Sequence, residues 1–324
     1  MVCLRLIRVH NDGANYNGKR VLTDTSSLTK TFDVKGSIVA LVTPMAADGE
    51  IDWAALENLL EWHLASGTAA IGAVGTTGES ATLTVPEHCE VIGFCARWSK
   101  GRIPILAGTG ANSTREAIEL SVAAVEAGAD ACLSVTPYYN KPTQAGMIAH
   151  FNAIADAVSI PQVLYNVPGR TSVDLLNDSA LSLFEHPRIV AIKDATGDLA
   201  RGADLIARAP KHINVYSGDD GTAARLIMTG AAGNISVTAN IIPRTMAQLC
   251  DAALAGDAAQ VDVISKRIEK LNQALFLESN PIPIKWALAH AGRIDTGIRL
   301  PLTPLSEHYH AELTAALDAC KENS

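Results

Sequence analysis
From Lys35 onward the chain alternates two patterns. A short apolar run ends in Gly, Thr, Pro or Asn, and a longer stretch with apolar residues at helical spacing follows. The apolar runs cover 37–42, 70–74, 103–107, 131–135, 162–165, 189–193, 213–216 and 233–236, eight in all. They are continuously apolar, as strands buried on both faces should be. Helices are predicted between them, among them 53–65, 86–98, 114–127 and 143–157. Asp52 stands before the first, Pro86 opens the second, and Ser113 and Thr114 stand before Arg115 and Glu116. Gly67 and Gly128 supply stops, through the left-handed conformation glycine takes at a helix end.

Eight strands alternating with helices predict an α/β chain folded as a (β/α)8 TIM barrel. The alternative is an open doubly wound sheet. It would want a dinucleotide fingerprint after an early strand, but Gly72-Ala-Val-Gly75-Thr-Thr-Gly78 has the wrong spacing and no Walker A sequence is present. After Ser236 the pattern is helical, over about 244–255, 258–276, 283–291 and 305–320. That exceeds the one helix needed to complete the barrel, so a small C-terminal helical subdomain is expected. The division is 1–34 as a disordered N-terminal extension, 35–255 as the barrel and 256–324 as the subdomain.

Composition narrows the function. Of 324 residues, 48% are hydrophobic and 19% charged, ample for a large core. Asp and Glu number 34 against 26 Lys and Arg, a net charge of -8, which argues against a nucleic-acid partner. No apolar run reaches membrane-spanning length. Six scattered Cys without a C-x-x-C pair read as reduced thiols of a cytoplasmic protein. The first 33 residues carry Arg5, Arg8, Lys19, Arg20 and Lys30. They read as an extension or the product of an upstream start codon, with a transit peptide as the alternative.

A barrel of this kind works at the carboxyl ends of its strands. Lys193 follows Ile189-Val-Ala-Ile192 directly. Regular alternation puts it on the face of Ala191 and Ile189, inside the barrel if that face is inward. Burial disfavours a charged amine, and a neutral amine attacks ketones. The ordinary alternative is a strand-end Lys that reaches water or pairs with Asp194. Tyr165 ends the preceding strand and offers a phenol for proton transfer, or simply a hydroxyl at the barrel mouth. Thr76 and Thr77 follow Gly75, where hydroxyls and backbone N–H groups suit a small carboxylate, or plain turn chemistry. Arg170 is a fork for a second carboxylate, or a surface Arg. Gly218, after strand seven, joins the same end. Asp219 and Asp220 read as an N-cap pair rather than a Mg²⁺ site. His63, His88 and the His308–His310 pair lack partners at metal-ligand spacing, and the last pair reads as solvated.

These residues sit in runs that resemble the pyruvate-dependent Schiff-base aldolase and lyase family. The runs are GTTGESATL at 75–83, YNVPGRT at 165–171 and IKDATG at 192–197. GTGANST at 108–114, TPYYNKP at 136–142 and NPIPIKWA at 280–287 resemble, within it, the branch that condenses pyruvate with L-aspartate 4-semialdehyde. The resemblance runs from about Lys35 to the C-terminal helices, and residues 1–34 have no counterpart. It implies that Lys193 forms the Schiff base and that Tyr165 is the general acid/base. Thr76 and Tyr139 would complete a proton relay, Tyr139 from a neighbouring subunit. Thr77, Ile235 and Gly218 would hold pyruvate, and Arg170 the carboxylate of the aldehyde. The product would be 4-hydroxy-tetrahydrodipicolinate, on the diaminopimelate route to lysine. No metal or organic cofactor is implied, and the assembly would be a homotetramer built as a dimer of dimers.

Ser80, Ala81, His88, Asn112, Glu116 and Tyr138 match a lysine effector site in that branch. Val85 departs from it where several members have His, which puts feedback by lysine in doubt. Asp194 stands where many relatives have Glu. A sialic-acid lyase or keto-deoxy-sugar acid aldolase would share Lys193, Tyr165 and the Gly-Thr-Thr-Gly-Glu loop, but would not be expected to combine Tyr138-Tyr139 with Arg170. A non-catalytic pyruvate- or amino-acid-binding paralogue would be signalled by loss of Lys193 or Tyr165, and both are present.

Overall fold
The computed structural model describes residues 31–320. Eight parallel strands close in sequence order into a barrel, β1 pairing with both β2 and β8. They are β1 (Gly36–Ala40), β2 (Ala70–Ala73), β3 (Ile105–Gly108), β4 (Ala131–Val135), β5 (Gln162–Asn166), β6 (Ile189–Asp194), β7 (Asn214–Ser217) and β8 (Gly233–Ser236). The outer helices are α1 (Trp53–Ala65), α2 (Val85–Ser99), α3 (Thr114–Ala127), α4 (Gln144–Ala157), the short α5 (Pro168–Thr171) and α6 (Asn177–Leu183), α7 (Leu199–Arg208), α8 (Ala223–Met228) and α9 (Pro243–Leu254). Beyond them lie α10 (Ala258–Ala274), α11 (Ile282–His290) and α12 (His310–Cys320). The (β/α)8 barrel and its C-terminal helices are as the hydrophobic pattern predicts. No helix among the described residues is long and apolar enough to cross a membrane.

The caps explain the helix starts. Asp52 accepts from Ala55 N, Ser113 from Glu116 N and Thr143 from Gly146 N. At α2 the cap is Thr84, in a reciprocal capping box with Glu87. The 305–320 stretch is less helical than its pattern predicts, with a 3₁₀ turn at Glu307–Tyr309 before α12. The His308–His310 pair is solvated only in part: His308 is exposed, whereas His310 is half-buried. His310 stacks on Trp286 at 4.6 Å between ring centroids, and its Nε2 lies 3.0 Å from the Leu305 carbonyl.

Strand β6 departs from regular alternation. Gln162 of β5 faces Ile189, yet the next residue, Val163, faces Ala191. Val190 is an extra residue, a bulge. Ile189 therefore packs outward with Ile192 and Leu183, while Ala191 lies in the barrel interior with Val163 and Tyr216. The expectation that Lys193 shares a face with both Ala191 and Ile189 holds only for Ala191. Past the bulge the register runs Tyr165 opposite Lys193 and Lys193 opposite Tyr216.

The floor of the barrel is closed by Tyr216, whose hydroxyl donates to the Val34 carbonyl at 2.7 Å. Phe32 meets it edge-on and is 3% exposed. Phe32 to Val34 thus pack on the barrel floor although the sequence pattern assigns them to the extension. Residues 1–30 of that extension lie outside the described residues.

Helix α1 buries a histidine against the barrel. His63 is fully buried, with Nδ1 3.0 Å from Thr68 Oγ1. Burial, and then the nearby Arg293 charge, push its pKa from 6.5 down to about 3. The folded protein therefore holds His63 neutral, while the unfolded chain binds a proton below pH 6.5. This contribution to stability is complete above pH 6.5 and is lost as pH falls towards 3, by about 1.4 kcal/mol per pH unit. Urea unfolding across this range is expected to show a shallower pH slope for His63→Asn than for the parent chain, by one proton. Equal slopes would mean that the buried imidazole carries charge in the native state.

Candidate active site
A cavity of about 130 Å³ opens at the carboxyl ends of the strands. Its base is Lys193, which β6 delivers 6% exposed, with Nζ 4.3 Å from the centroid of the Tyr165 ring. Neighbouring strands in register produce this contact. Gly218, at the end of β7, makes room for the amine: a Cβ there would lie 2.7 Å from Lys193 Cε. Asp194 is engaged elsewhere, accepting from Thr196 N at 3.0 Å. Its carboxyl is pushed up in pKa by burial.

The loop after β2 carries Thr76 and Thr77 and is held from three sides. Thr43, after β1, donates to the Gly78 carbonyl at 2.7 Å. Below the loop, β3 approaches so closely that a Cβ on Gly108 would lie 2.2 Å from the Val74 carbonyl oxygen. From above, the C-terminal region reaches in. Asn280 donates through Nδ2 to Thr77 Oγ1 at 3.0 Å, and its carbonyl accepts from Arg170 Nη2 at 3.1 Å. One residue thus ties the β2 loop to the guanidinium that follows β5.

The same loop contains Glu79, 2% exposed and in the left-handed region at φ 56. Its Oε1 pairs with Lys285 Nζ on α11, and both side chains are buried. Its Oε2 accepts from Thr82 Oγ1 at 3.2 Å and Arg299 N at 3.3 Å. Arg299 in turn grips Glu87 with two bonds of 2.9 and 2.7 Å. That guanidinium holds the Glu87 carboxyl down at a pKa of about 2.

Lys193, Tyr165, Thr76, Thr77, Arg170, Ile235 and Gly218 all line this cavity. Tyr139 does not. It is 88% exposed and sits at φ 73, on a loop anchored by Asn140 Nδ2 to the Asn112 carbonyl at 2.8 Å. A second cleft, of about 500 Å³, is lined by Ser80, Ala81, His88, Glu116 and Tyr138 of the effector-type set, together with Val85. Asn112 is not among its lining residues. His88 Nε2 lies 2.7 Å from the Gly108 carbonyl, and burial lowers its pKa. Burial, then the Glu116 charge, raise the Tyr138 phenol. Among the described residues no group of three or more His, Cys, Asp or Glu could hold a metal ion.

The Asp219-Asp220 pair is not a double N-cap. Asp219 Oδ1 accepts from Thr222 N and Oγ1 at 2.9 and 2.8 Å, at the start of α8. Asp220 serves the β8 loop instead, accepting from Asn234 Nδ2, Val237 N and Thr238 N. Sequence reasoning also assigned no role to Asn280 or Lys285. Both lie in the NPIPIKWA run, which marked the resemblance without saying what its side chains touch.

Fold and cavity together define a (β/α)8 barrel protein with its site at the carboxyl ends of the strands. The chain belongs to the dihydrodipicolinate synthetase family, matched over residues 33–320. It is 59% identical over 284 residues to a protein of Thioalkalivibrio sulfidiphilus named 4-hydroxy-tetrahydrodipicolinate synthase, covering 88% of this chain and 97% of that one. A Pseudomonas aeruginosa protein of the same name is 58% identical, with 88% and 97% covered. The crystal structure of a chloride-inhibited dihydrodipicolinate synthase from Acinetobacter baumannii, complexed with pyruvate, superposes with a TM-score of 0.87 at 59% identity, covering 88% of this chain and 98% of that one.

The ion pair under the β2 loop generates a direct test. Lys285→Met leaves the Glu79 carboxylate buried without its partner and is expected to cost about 3–5 kcal/mol in urea unfolding. Adding Glu79→Gln to Lys285→Met should recover part of that loss. Strictly additive losses would show that the two side chains are not coupled.

Proposed function
We propose that the chain condenses pyruvate with L-aspartate 4-semialdehyde through a Schiff base on Lys193, giving 4-hydroxy-tetrahydrodipicolinate for the diaminopimelate route to lysine. The observation that carries this reading is the buried Lys193 amine, 4.3 Å from the Tyr165 ring centroid, in one cavity with Thr76, Thr77 and Arg170. The relatives' shared name supports the choice of substrates.

The chemistry follows from the groups. The Lys193 nitrogen adds to the pyruvate ketone, and the carbinolamine loses water to leave an iminium. Tyr165 and Thr76 carry the protons in and out. The iminium withdraws electrons, so the methyl group loses a proton and the enamine carbon attacks the aldehyde. The substrate's own amine then adds at the carbon bound to Lys193, the ring closes, and the lysine leaves. Thr77, Gly218 and the Ile235 backbone bound the pyruvate end. Arg170 faces the carboxylate of the aldehyde. In this reading no metal or organic cofactor takes part.

Tyr139 completes the proton relay from outside. A large side chain left 88% exposed on a left-handed residue suits a group that a second subunit covers. The active unit in this reading is a dimer in which Tyr139 of the partner subunit enters the cavity, two such dimers forming a homotetramer in the cytoplasm. The functional division is a catalytic barrel, 35–255, and a C-terminal subdomain, 256–324, that braces its mouth. The second cleft is the counterpart of the lysine effector site. The Val85 side chain there offers an effector no hydrogen bond.

Incubation with pyruvate and borohydride should leave one reduced adduct, on the Lys193 peptide, and the untreated chain should form product once L-aspartate 4-semialdehyde is added. Lys193→Ala is expected to lose about 10³-fold or more in kcat. Turnover without an adduct at Lys193 would refute the mechanism. An adduct without turnover would move the second substrate to a sibling aldolase.

A further inference from the structure
We propose that the Asp174–Arg201 ion pair, acting through Asn166, is a positioning clamp that holds Tyr165 against the Lys193 amine. The proposal rests on the function proposed above and concerns three residues to which that reading gives no part.

Tyr165 and Lys193 face each other across adjacent strands, and the next pair in register is Asn166 opposite Asp194. Side chains alternate along a strand. Val163 and Tyr165 lie with the barrel interior, whereas Leu164 packs outside it. Asn166 therefore turns outward, directly behind the site, and Asp194 does the same after the inward Lys193. Both are polar and buried, at 1% and 5% exposure. Buried polar side chains are held by hydrogen bonds, and the bonds of these two decide where the strand ends sit.

Asn166 is bonded at both ends of its amide. Its Oδ1 accepts from Leu175 N at 3.0 Å, and its Nδ2 donates to Asp174 Oδ1 at 2.8 Å. The other carboxylate oxygen, Asp174 Oδ2, accepts from Arg201 Nη1 at 2.7 Å. The second arm of the guanidinium, Nη2, donates to the Leu175 carbonyl at 2.6 Å. Asn166, Asp174 and Arg201 thus form one charge-assisted chain that needs both carboxylate oxygens. Gln144 Nε2, at the start of α4, donates to the Asp174 carbonyl at 2.7 Å and steadies the segment from another side.

Topology makes this chain a link between the two catalytic strands. Asp174 lies between α5 and α6, in the connection that follows β5. Arg201 lies in α7, which follows β6. The ion pair therefore ties what leaves one strand to what leaves the other. Arg201 also acts on Asp194: burial raises that carboxyl, and the Thr196 bonds and then the Arg201 charge oppose the rise. One guanidinium so addresses both residues that stand behind Tyr165 and Lys193. The paired register ends at Asn166 and Asp194, so the ladder alone leaves the last residues free to twist apart. The clamp acts there. Thr77 and Ile235, at the pyruvate end, come from the β2 loop and β8. The clamp thus governs the geometry of reaction rather than the grip on pyruvate.

Arg201→Met removes the clamp, and Arg201→Lys restores its charge without the fork. Arg208→Met is the control, since Arg208 stands on the same helix but pairs with Asp178 and Asp204 at the surface. Each full chain is mixed with pyruvate and quenched with borohydride at intervals, and the adduct on Lys193 is followed by mass. At saturating pyruvate the first-order rate is expected to fall about 10-fold or more for Arg201→Met. The pyruvate concentration giving half the maximal rate should stay within about twofold of the parent value. Arg201→Lys should recover part of the rate, and Arg208→Met should leave it unchanged. Asp174→Asn has one oxygen where the chain needs two. It should slow the adduct in the same way, and it decides the matter if Arg201→Met does not fold. An unchanged rate in either clamp variant, an equal fall in Arg208→Met, or a matching loss of pyruvate affinity would overturn the proposal. Absence of any adduct on Lys193 of the parent chain would instead remove the functional reading on which it rests.

Discussion

Closure of eight parallel strands is the constraint from which the site follows. A closed barrel has no edge, and its parallel strands bring every carboxyl end to one mouth. Residues from β2, β5, β6, β7 and β8 therefore line one cavity without being near in sequence. Closure alone does not fix the loops that leave those ends. The C-terminal helices do. Lys285 reaches Glu79 across 206 positions of sequence, and Asn280 reaches Thr77 across 203. Breaking a buried ion pair costs more than forming it gains, so the Glu79–Lys285 contact holds the β2 loop chiefly by penalising any other arrangement.

The legible part of the structure was the part governed by local pattern. Continuous apolar runs announced the strands, and caps such as Asp52 and Ser113 announced the helix starts. Lys193, Tyr165, Thr76, Thr77, Arg170 and Gly218 were legible because strand ends in a barrel are where a site must be. The bulge at Val190 was not legible. A period-two reading assumes one residue opposite one, and an inserted residue shows only against the partner strand. Asn280 and Lys285 were hidden for a related reason. Their runs stood out, but contacts over two hundred positions are decided by packing, not by neighbours. The two aspartates at 219 and 220 look alike in sequence, and only the hydrogen bonds separate a cap from a loop brace.

Polarity inside the cavity is arranged by how completely each group is used. Asp220, Glu79 and Lys285 are buried and bound to protein partners, so they shape the walls without contributing free charge. Thr77 spends its hydroxyl on Asn280 as an acceptor and keeps its own proton to donate. Arg170 spends one N–H on the Asn280 carbonyl and retains others, since a guanidinium has five. A side chain with one bond to the scaffold and others open is both oriented and available. That combination separates ligand-facing residues from wall residues better than burial does, since Thr77 and Glu79 are equally buried at 2%.

The two cavities are not independent. Thr76, Val167, Arg170 and Asn280 line both. A molecule seated in the larger cleft rests against the back of the wall that shapes the smaller one. If it alters the position of Asn280, it alters Thr77 and Arg170 together, because Asn280 is bonded to both. Coupling of this kind is reciprocal: a ligand in the smaller cavity must shift affinity for the larger by the same factor. The four residues common to both linings are a physical route by which such a coupling would pass.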